Sequence, residues 1–402
     1  LEIQRVDLTH LDAYAIDNAW SHDPDDAVSI EGTRIWVHIA DPAAFIAPDS
    51  PLDRQAMERG STLYLPEGII PMLPAPVVDS LGLGLQETTP ALSFGMEIDE
   101  SGRIAQFTVV PSRIAVRRLS YEEADRLLDA GDVLMTALAH AAAIRAAFRR
   151  RNGAVDIDLP ETAIRVENGI IRFLQVPSTR SARIVQEMMI LAGEACARWA
   201  FERGIPFPYT SQDQPVSAEQ AGCGMGPSES PAENFCRRRV MRASLVSSTC
   251  SAHAGLGLSF YSQVTSPLRR YQDLLAHYQI HAMLVRERLH SSPQRNHDMA
   301  ELLSQDAVAE RLYQANLAAS RNRQAERDSR AHWTMVFLAT HRDWSGQAIV
   351  LDAGADSAQL LIPEFGYECS VRTSRRLTPD QRVRLVVRSI SVPDLNAVFE
   401  IT

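Results

Sequence analysis

Asp17-Asn-Ala-Trp-Ser-His-Asp23-Pro-Asp25-Asp26 is the stretch on which the reading of this chain turns. Four carboxylates crowded into ten residues repel one another. Either their pKa values are pushed apart or a cation sits among them. Oxygen ligands in a polar loop suit Mg2+, with Mn2+ able to substitute, and do not suit zinc. A solvated Asp/Pro turn is the plainer alternative. The flanks say how the stretch is held. Tyr14–Ile16 reads as a strand ending at Asp17, Ala27–Ile30 as the next, and Ile35–Ala40 as a third after a turn at Gly32. Antiparallel pairing of the first two predicts Asp17 opposite Asp26, with side chains about 5 Å apart. An EF-hand is excluded, because Ala27, Val28 and Arg34 stand where its ligands and glycine would be.

Outward from this loop, residues 1 to about 115 alternate apolar and polar residues between Pro and Gly turns, the pattern of strands. Helices follow. Ser120-Tyr-Glu-Glu123 is a capping box, residues 133–151 form a second helix, and about 180–203 a third, stopped by Gly204 and Pro206. Residues 216–251 are rich in Ser, Gly and Pro and predict mobile loops. Ser266-Pro267 predicts a helix start running to about 289, with a longer helix over about 298–340. Beyond His341, five short strands are expected at 346–352, 357–362, 368–372, 381–389 and 397–401, the number and size of a small OB-type barrel.

Composition narrows the function. The 402 residues suffice for two or three domains. The first residue is Leu1, so sequence ahead of it is expected. No apolar run reaches membrane-spanning length. The five cysteines lack zinc spacing and fit a reduced cytoplasmic protein. A net charge of −10 argues against general nucleic-acid binding, yet all 40 basic residues are Arg and they cluster at 113–118, 144–151, 237–242, 269–270 and 321–330. Arg is the better bidentate phosphate ligand, so an Arg-lined channel in an acidic exterior is consistent with the pattern. Arg269, in the first turn of the expected Ser-Pro helix, would make an anion site there. Glu187 by default pairs with Arg183 on one helix face, and Glu326 is by default a solvated helical residue. Tyr64 and Tyr121 are by default packing residues; beside a phosphate channel their rings would stack on bases. With no P-loop, dinucleotide fingerprint, zincin helix or nucleophile elbow, the pieces point to phosphodiester cleavage by metal-activated water.

The chain resembles the ribonuclease II family. The resemblance is carried in order by Ile16-Asp17 through Asp23-Pro-Asp25-Asp26-Ala27, His38-Ile-Ala-Asp41, Tyr64-Leu-Pro66, Ile70-Pro-Met-Leu-Pro74, Ile184-Val-Gln-Glu187-Met-Met-Ile190, Thr265-Ser-Pro-Leu-Arg-Arg-Tyr271 and Ala325-Glu-Arg-Asp328. It implies an α+β fold: an RNB catalytic domain of mixed sheets and surrounding helices over 1–340, then a five-stranded OB barrel of the ribosomal-protein S-one kind over 341–402. It implies processive 3′–5′ hydrolysis of single-stranded RNA to nucleoside 5′-monophosphates with Mg2+, by a cytoplasmic monomer that contacts no membrane. Carried over, Asp17, Asp23, Asp25 and Asp26 form the metal and catalytic centre, and Arg269 grips the phosphate near the scissile bond with Arg270 beside it. Tyr64 stacks on the 3′-terminal base and Tyr121 lies further along the channel, setting product length. Glu187 contacts the terminal ribose, and Glu326 lies near the centre. The rival is a catalytically silent RNA-binding protein of the same fold. The chain departs from the family at Ile157, where an aromatic residue is usual, and in the short segment after Pro215, which lacks an Arg-x-His element. The paired cold-shock domains are not in this sequence.

Overall fold

The computed structural model describes residues 4–18, 20–21, 23–215, 226, 228–291 and 301–402. Its first part is built on strands β1 (Val6–Asp7), β2 (Tyr14–Asp17), β3 (Asp26–Glu31) and β4 (Arg34–Ala40). Helix α1 (Pro51–Arg59), a small hairpin of β5 (Leu63–Leu65) and β6 (Gly68–Ile70), and helix α2 (Ala75–Leu81) come next. Strands β7 (Thr89–Ile98), β8 (Ile104–Ile114) and β9 (Arg117–Ser120) complete a seven-stranded mixed sheet of order β1-β8-β7-β4-β3-β2-β9. The pairs β1–β8 and β2–β9 are parallel, and the others antiparallel.

Strand alternation sorts the sheet's side chains into two cores. Tyr14, Ile16, Val28, Val37 and Ile39 face one, whereas Ala15, Ala27 and Trp36 face the other. His38, in the middle of β4, is satisfied by the hydroxyls of Ser29 (2.8 Å) and Ser93 (2.7 Å), and burial pushes its pKa down to about 3. It is a neutral structural imidazole.

Helix α3 (Tyr121–Asp129) opens with the expected Ser120–Glu123 capping box, and α4 (Val133–Arg151) follows. A hairpin of β10 (Glu161–Glu167) and β11 (Ile170–Val176) precedes α5 (Arg180–Glu202). Helices α4 and α5 cover the first core. Beyond β12 (Tyr209–Ser211), the segment expected to be loop contains helix α6 (Pro231–Val240) and strand β13 (Leu245–Ser247). Ser230 caps α6, with Pro231 at its first position, a start signal masked by the surrounding Ser, Gly and Pro. Residues 216–225 and 227, including Cys223, lie outside the described residues, as do 298–300.

Helices α7 (Tyr271–Ser291) and α8 (Gln305–Thr340) close the second core with α1 and α2. Two expectations are corrected here. Helix α7 starts at Tyr271 rather than at Ser266-Pro267, because Ser266 N–H donates to the Asp273 carboxylate (2.8 Å), residues 267–269 form a separate turn and Arg270 bridges to Ser61. Helix α8 starts at Gln305, capped by Ser304. Where α1 meets α8, Gly60 has φ +69° and a Cβ there would lie 2.5 Å from the Ala315 carbonyl oxygen. Asp53, fully buried, accepts from Tyr271 Oη (2.9 Å), Tyr278 Oη (3.2 Å) and Arg311 Nη1 (2.8 Å), tying α1, α7 and α8 together.

Strands β14 (Ser345–Ala353), β15 (Ser357–Ile362), β16 (Tyr367–Arg372), β17 (Arg382–Ser391) and β18 (Asn396–Ile401) form an antiparallel five-stranded sheet of order β16-β15-β14-β17-β18. It curls until β16 approaches β18, giving a nearly closed barrel of OB type. Its core takes in Met335 and Leu338 from the end of α8. Helix α6 also holds it: Asp380 accepts from Ala232 N (2.9 Å) at the helix start, and Arg238–Glu368 (2.7 Å) and Arg239–Asp352 (2.6 Å) are ion pairs. Phe235 packs against Leu351 and Leu361.

Candidate active site and metal centre

Strands β2 and β3 end together, and the loop between them carries the acidic residues. The registered pair is Tyr14–Val28, so Asp17 is not directly opposite Asp26; it lies beside Ser120 of β9. The predicted cross-strand pair is thus corrected, yet Asp17 and Asp26 still feel each other's charge. Asp17, Asp25 and Asp26 line one cavity of about 220 Å3 with Arg118, Ser120 and Glu123.

Asp25 is 2% exposed and closes a contact with the turn before α7. Its Oδ1 accepts from Leu268 N (2.8 Å) and its Oδ2 from Arg269 Nε (2.9 Å). Arg269 Nη2 donates to Ser266 Oγ (2.9 Å). The guanidinium is therefore fixed by a carboxylate and a hydroxyl and lies in this turn, not in the first turn of a helix. Arg270 donates twice to Asp273 (3.0 and 2.7 Å), which holds it to the start of α7.

Burial pushes the Asp25 carboxyl well above the usual range, against the pull of Arg269 and the Leu268 amide. Burial likewise raises Asp26 to about 7, with Arg269 opposing and Asp17 adding to the rise. Among the described residues the Asp26 side chain accepts no hydrogen bond. A carboxylate so placed has the charges of Arg269 and Arg270 nearby but no hydrogen-bonded partner among the described residues. Among the described residues no three His, Cys, Asp or Glu side chains are already grouped to cage an ion. The donor set nevertheless fits a hard divalent cation: all the candidate donors are carboxylate oxygens, and Asp17 and Asp26 share a cavity and repel each other. Asp23 and Asp25 are already engaged by Tyr64 and Arg269.

The β5–β6 hairpin sets Tyr64 against this loop. Its hydroxyl donates to Asp23, its backbone N–H donates to Glu326 Oε1 (2.9 Å), and 37% of the residue remains exposed. Glu326 on α8 is thus a support for Tyr64 rather than a free surface residue. Tyr121 packs partly against the first core, and its phenol is raised by burial and then by the charges of Asp17 and Asp26.

Glu187 stands apart from this group. It is 7% exposed, and both carboxylate oxygens accept from Arg149 of α4. Arg183, its default partner, pairs with Asp158 instead (2.8 Å). Sequence reasoning also missed Arg118, whose Nη2 donates to the Ser21 carbonyl (2.8 Å), and Ser266. Arg118 sits in a flagged Arg cluster, but nothing local distinguished it from its neighbours.

A seven-stranded mixed sheet with an acidic loop at two strand ends, an arginine fixed on one of its aspartates and an appended OB-type barrel define an α+β class of fold. The RNB domain model matches residues 5–223 and 226–286, and the chain belongs to the RNB-domain family. It is 36% identical to an uncharacterised ribonuclease of Synechocystis sp. over 96% of this chain and 58% of that protein. In structure it is similar to Mycoplasma genitalium RNase R in complex with ribose-methylated single-stranded RNA, with TM-score 0.81 and 18% identity over 99% of this chain and 72% of that one. It is also similar to yeast Ssd1, a pseudonuclease, with TM-score 0.70 and 18% identity over 92% of this chain and 50% of that one. At such identities the structural likeness speaks for the fold. The chain spans about half the length of the curated relatives it matches. Among the described residues no single helix is long and apolar enough to cross a membrane.

Proposed function

We propose that this protein is a hydrolytic 3′–5′ exoribonuclease, acting processively on single-stranded RNA with Mg2+ (or Mn2+) and releasing nucleoside 5′-monophosphates. The observation that carries the reading is the joining of the acidic loop to Arg269 through Asp25. Asp17 and Asp26 would hold the divalent cation. When bound, that ion supplies a Lewis acid for the phosphoryl oxygen and makes water more acidic. Asp25 orients Arg269 through Nε, and Ser266 holds Nη2, leaving Nη1 to donate to a phosphoryl oxygen as charge develops there. Tyr64, held at its backbone by Glu326 and at its hydroxyl by Asp23, offers its ring to the 3′-terminal base. Tyr121 would meet a base further along, and Arg270 would add positive charge to the path. Residues 1–340 would form the catalytic part and the barrel, within 341–402, would hold RNA upstream. The same reading makes the protein a monomer of a reducing compartment; Cys196, Cys250 and Cys369 carry free thiols.

The second reading, a silent RNA-binding protein, is favoured by the likeness to a pseudonuclease. The presence of all four aspartates favours the first. A time course on 5′-labelled single-stranded RNA and on 3′-tailed duplex RNA separates them. Mononucleotide release that a chelator stops and Mg2+ or Mn2+ restores supports the enzyme. RNA binding without release under either ion refutes it.

A further inference from the structure

The acidic loop has an outside anchor that the proposed chemistry does not use. Trp20, midway between Asp17 and Asp23, is 39% exposed, and the guanidinium carbon of Arg165 lies 5.5 Å from its ring centroid. Arg165 belongs to β10. The next residue, Val166, donates its N–H to the Pro66 carbonyl (2.8 Å), two residues past Tyr64. The same hairpin is fixed to the barrel and to α8. Thr162 Oγ1 donates to the Pro363 carbonyl (2.7 Å), Arg330 Nη2 donates to the Thr162 carbonyl (2.7 Å), and the Phe173 ring lies 4.7 Å from Phe365 and 5.0 Å from Phe337. The β10–β11 hairpin therefore has one end rooted in the barrel and the other against the loop and the Tyr64 hairpin.

The loop needs such an anchor. Asp17 and Asp26 repel each other across its two ends. Between Asn18 and Ser21, the described residues hold it from outside through Arg118 on the Ser21 carbonyl and Arg165 on Trp20. A guanidinium over an indole face is attracted by the ring's quadrupole and tolerates small sliding movements. It also adds positive charge beside an acidic segment. We propose that Trp20 and Arg165 form a latch that fixes the acidic loop to the β10–β11 hairpin, making both positioning residues for the reaction proposed above, on which their role in turnover rests.

The test uses the full chain and the variants Trp20→Ala, Arg165→Gln, the double variant and Trp20→Tyr. Amide hydrogen exchange over the peptide spanning Asn18–Asp25 reads the latch without any RNA. Each single variant should lose about two- to five-fold in protection there, the scale of one cation–π contact. The double variant should lose no more than either single one, and Trp20→Tyr should recover most of the protection. On labelled single-stranded RNA the single-turnover rate should fall by the same factor, with apparent KM unchanged and Tyr rescuing the rate. Unchanged loop exchange, or additive losses in the double variant, overturns the latch. A change confined to KM overturns the positioning role, because Trp20 would then be touching RNA. If the wild type releases no mononucleotide, the functional reading fails while the exchange experiment still decides the latch.

Discussion

Replacing Asp25 by Asn tests the joint between the acidic loop and Arg269. The carboxylate accepts at both oxygens, from Leu268 N and from Arg269 Nε. An Asn keeps the shape but has one acceptor and one donor end. If its oxygen faces Leu268, its amide N–H meets the Arg269 N–H, and if it flips, the Leu268 amide loses its acceptor. A hydrogen bond to a charged group contributes about 1.5–3 kcal/mol. Its loss shifts the population of the fixed Arg269 geometry roughly 10- to 100-fold, since about 1.4 kcal/mol is tenfold. Stability should change less, because the variant also removes a buried charge whose ionisation the fold disfavours. The assay is single-turnover mononucleotide release, with RNA affinity and a melting curve measured alongside. Turnover should fall more than tenfold while affinity stays level or rises. Arg269→Lys should also be impaired, because Lys cannot meet Asp25 and Ser266 in a fork. A variant Asp25→Asn that keeps more than a tenth of wild-type turnover would refute the reasoning.

Five further outcomes follow from the structure. Asp26, raised to about 7, sits above its unfolded value near 4; its contribution to stability is complete below about pH 4 and is lost as pH rises through about 7, so melting in chelator should decline over that window. Because a cation must then displace a proton below pH 7, Mn2+ titrations should show affinity falling by up to about tenfold per pH unit on the acid side; flat affinity from pH 8 to 5.5 would take Asp26 out of the ion site. Tyr121→Ala should leave the initial rate nearly unchanged and lengthen the limit product, as about 1–3 kcal/mol of stacking is lost from the shortest complexes; an unaltered product ladder on a sequencing gel would remove Tyr121 from the RNA path. Deleting 341–402 should raise apparent KM more than it lowers the saturated single-turnover rate, and it should lower the melting temperature because Met335 and Leu338 lose their cover; Gly60→Ala, which forces a Cβ against the Ala315 carbonyl at positive φ, should cost about 1–3 kcal/mol in urea unfolding.

Much of the architecture is written in local pattern. The five barrel strands fall within a residue or two of their expected limits, three of them with clean alternation, and the Ser120–Glu123 box is a reciprocal local bond that needs no distant partner. What was hidden depends on partners far away in the chain. Ser266-Pro267 carries a good helix-start signal, but Asp273 reaches back to the Ser266 amide and the following turn donates to Asp25 instead. Glu187 has a plausible partner four residues away, yet binds an arginine on another helix. Helix α6 is short, and a barrel aspartate accepts from its first turn beside the Ser230 cap, so part of its support is tertiary. The acidic residues themselves stand out in sequence, and their pairing with Arg269 does not.

The Leu268–Asp25 bond spans 243 residues. On the ribosome, all four aspartates emerge before the turn that completes them, which is translated roughly 12–50 s later at about 5–20 residues per second. Until then the nascent chain carries an acidic loop with neither its amide donor nor its arginine.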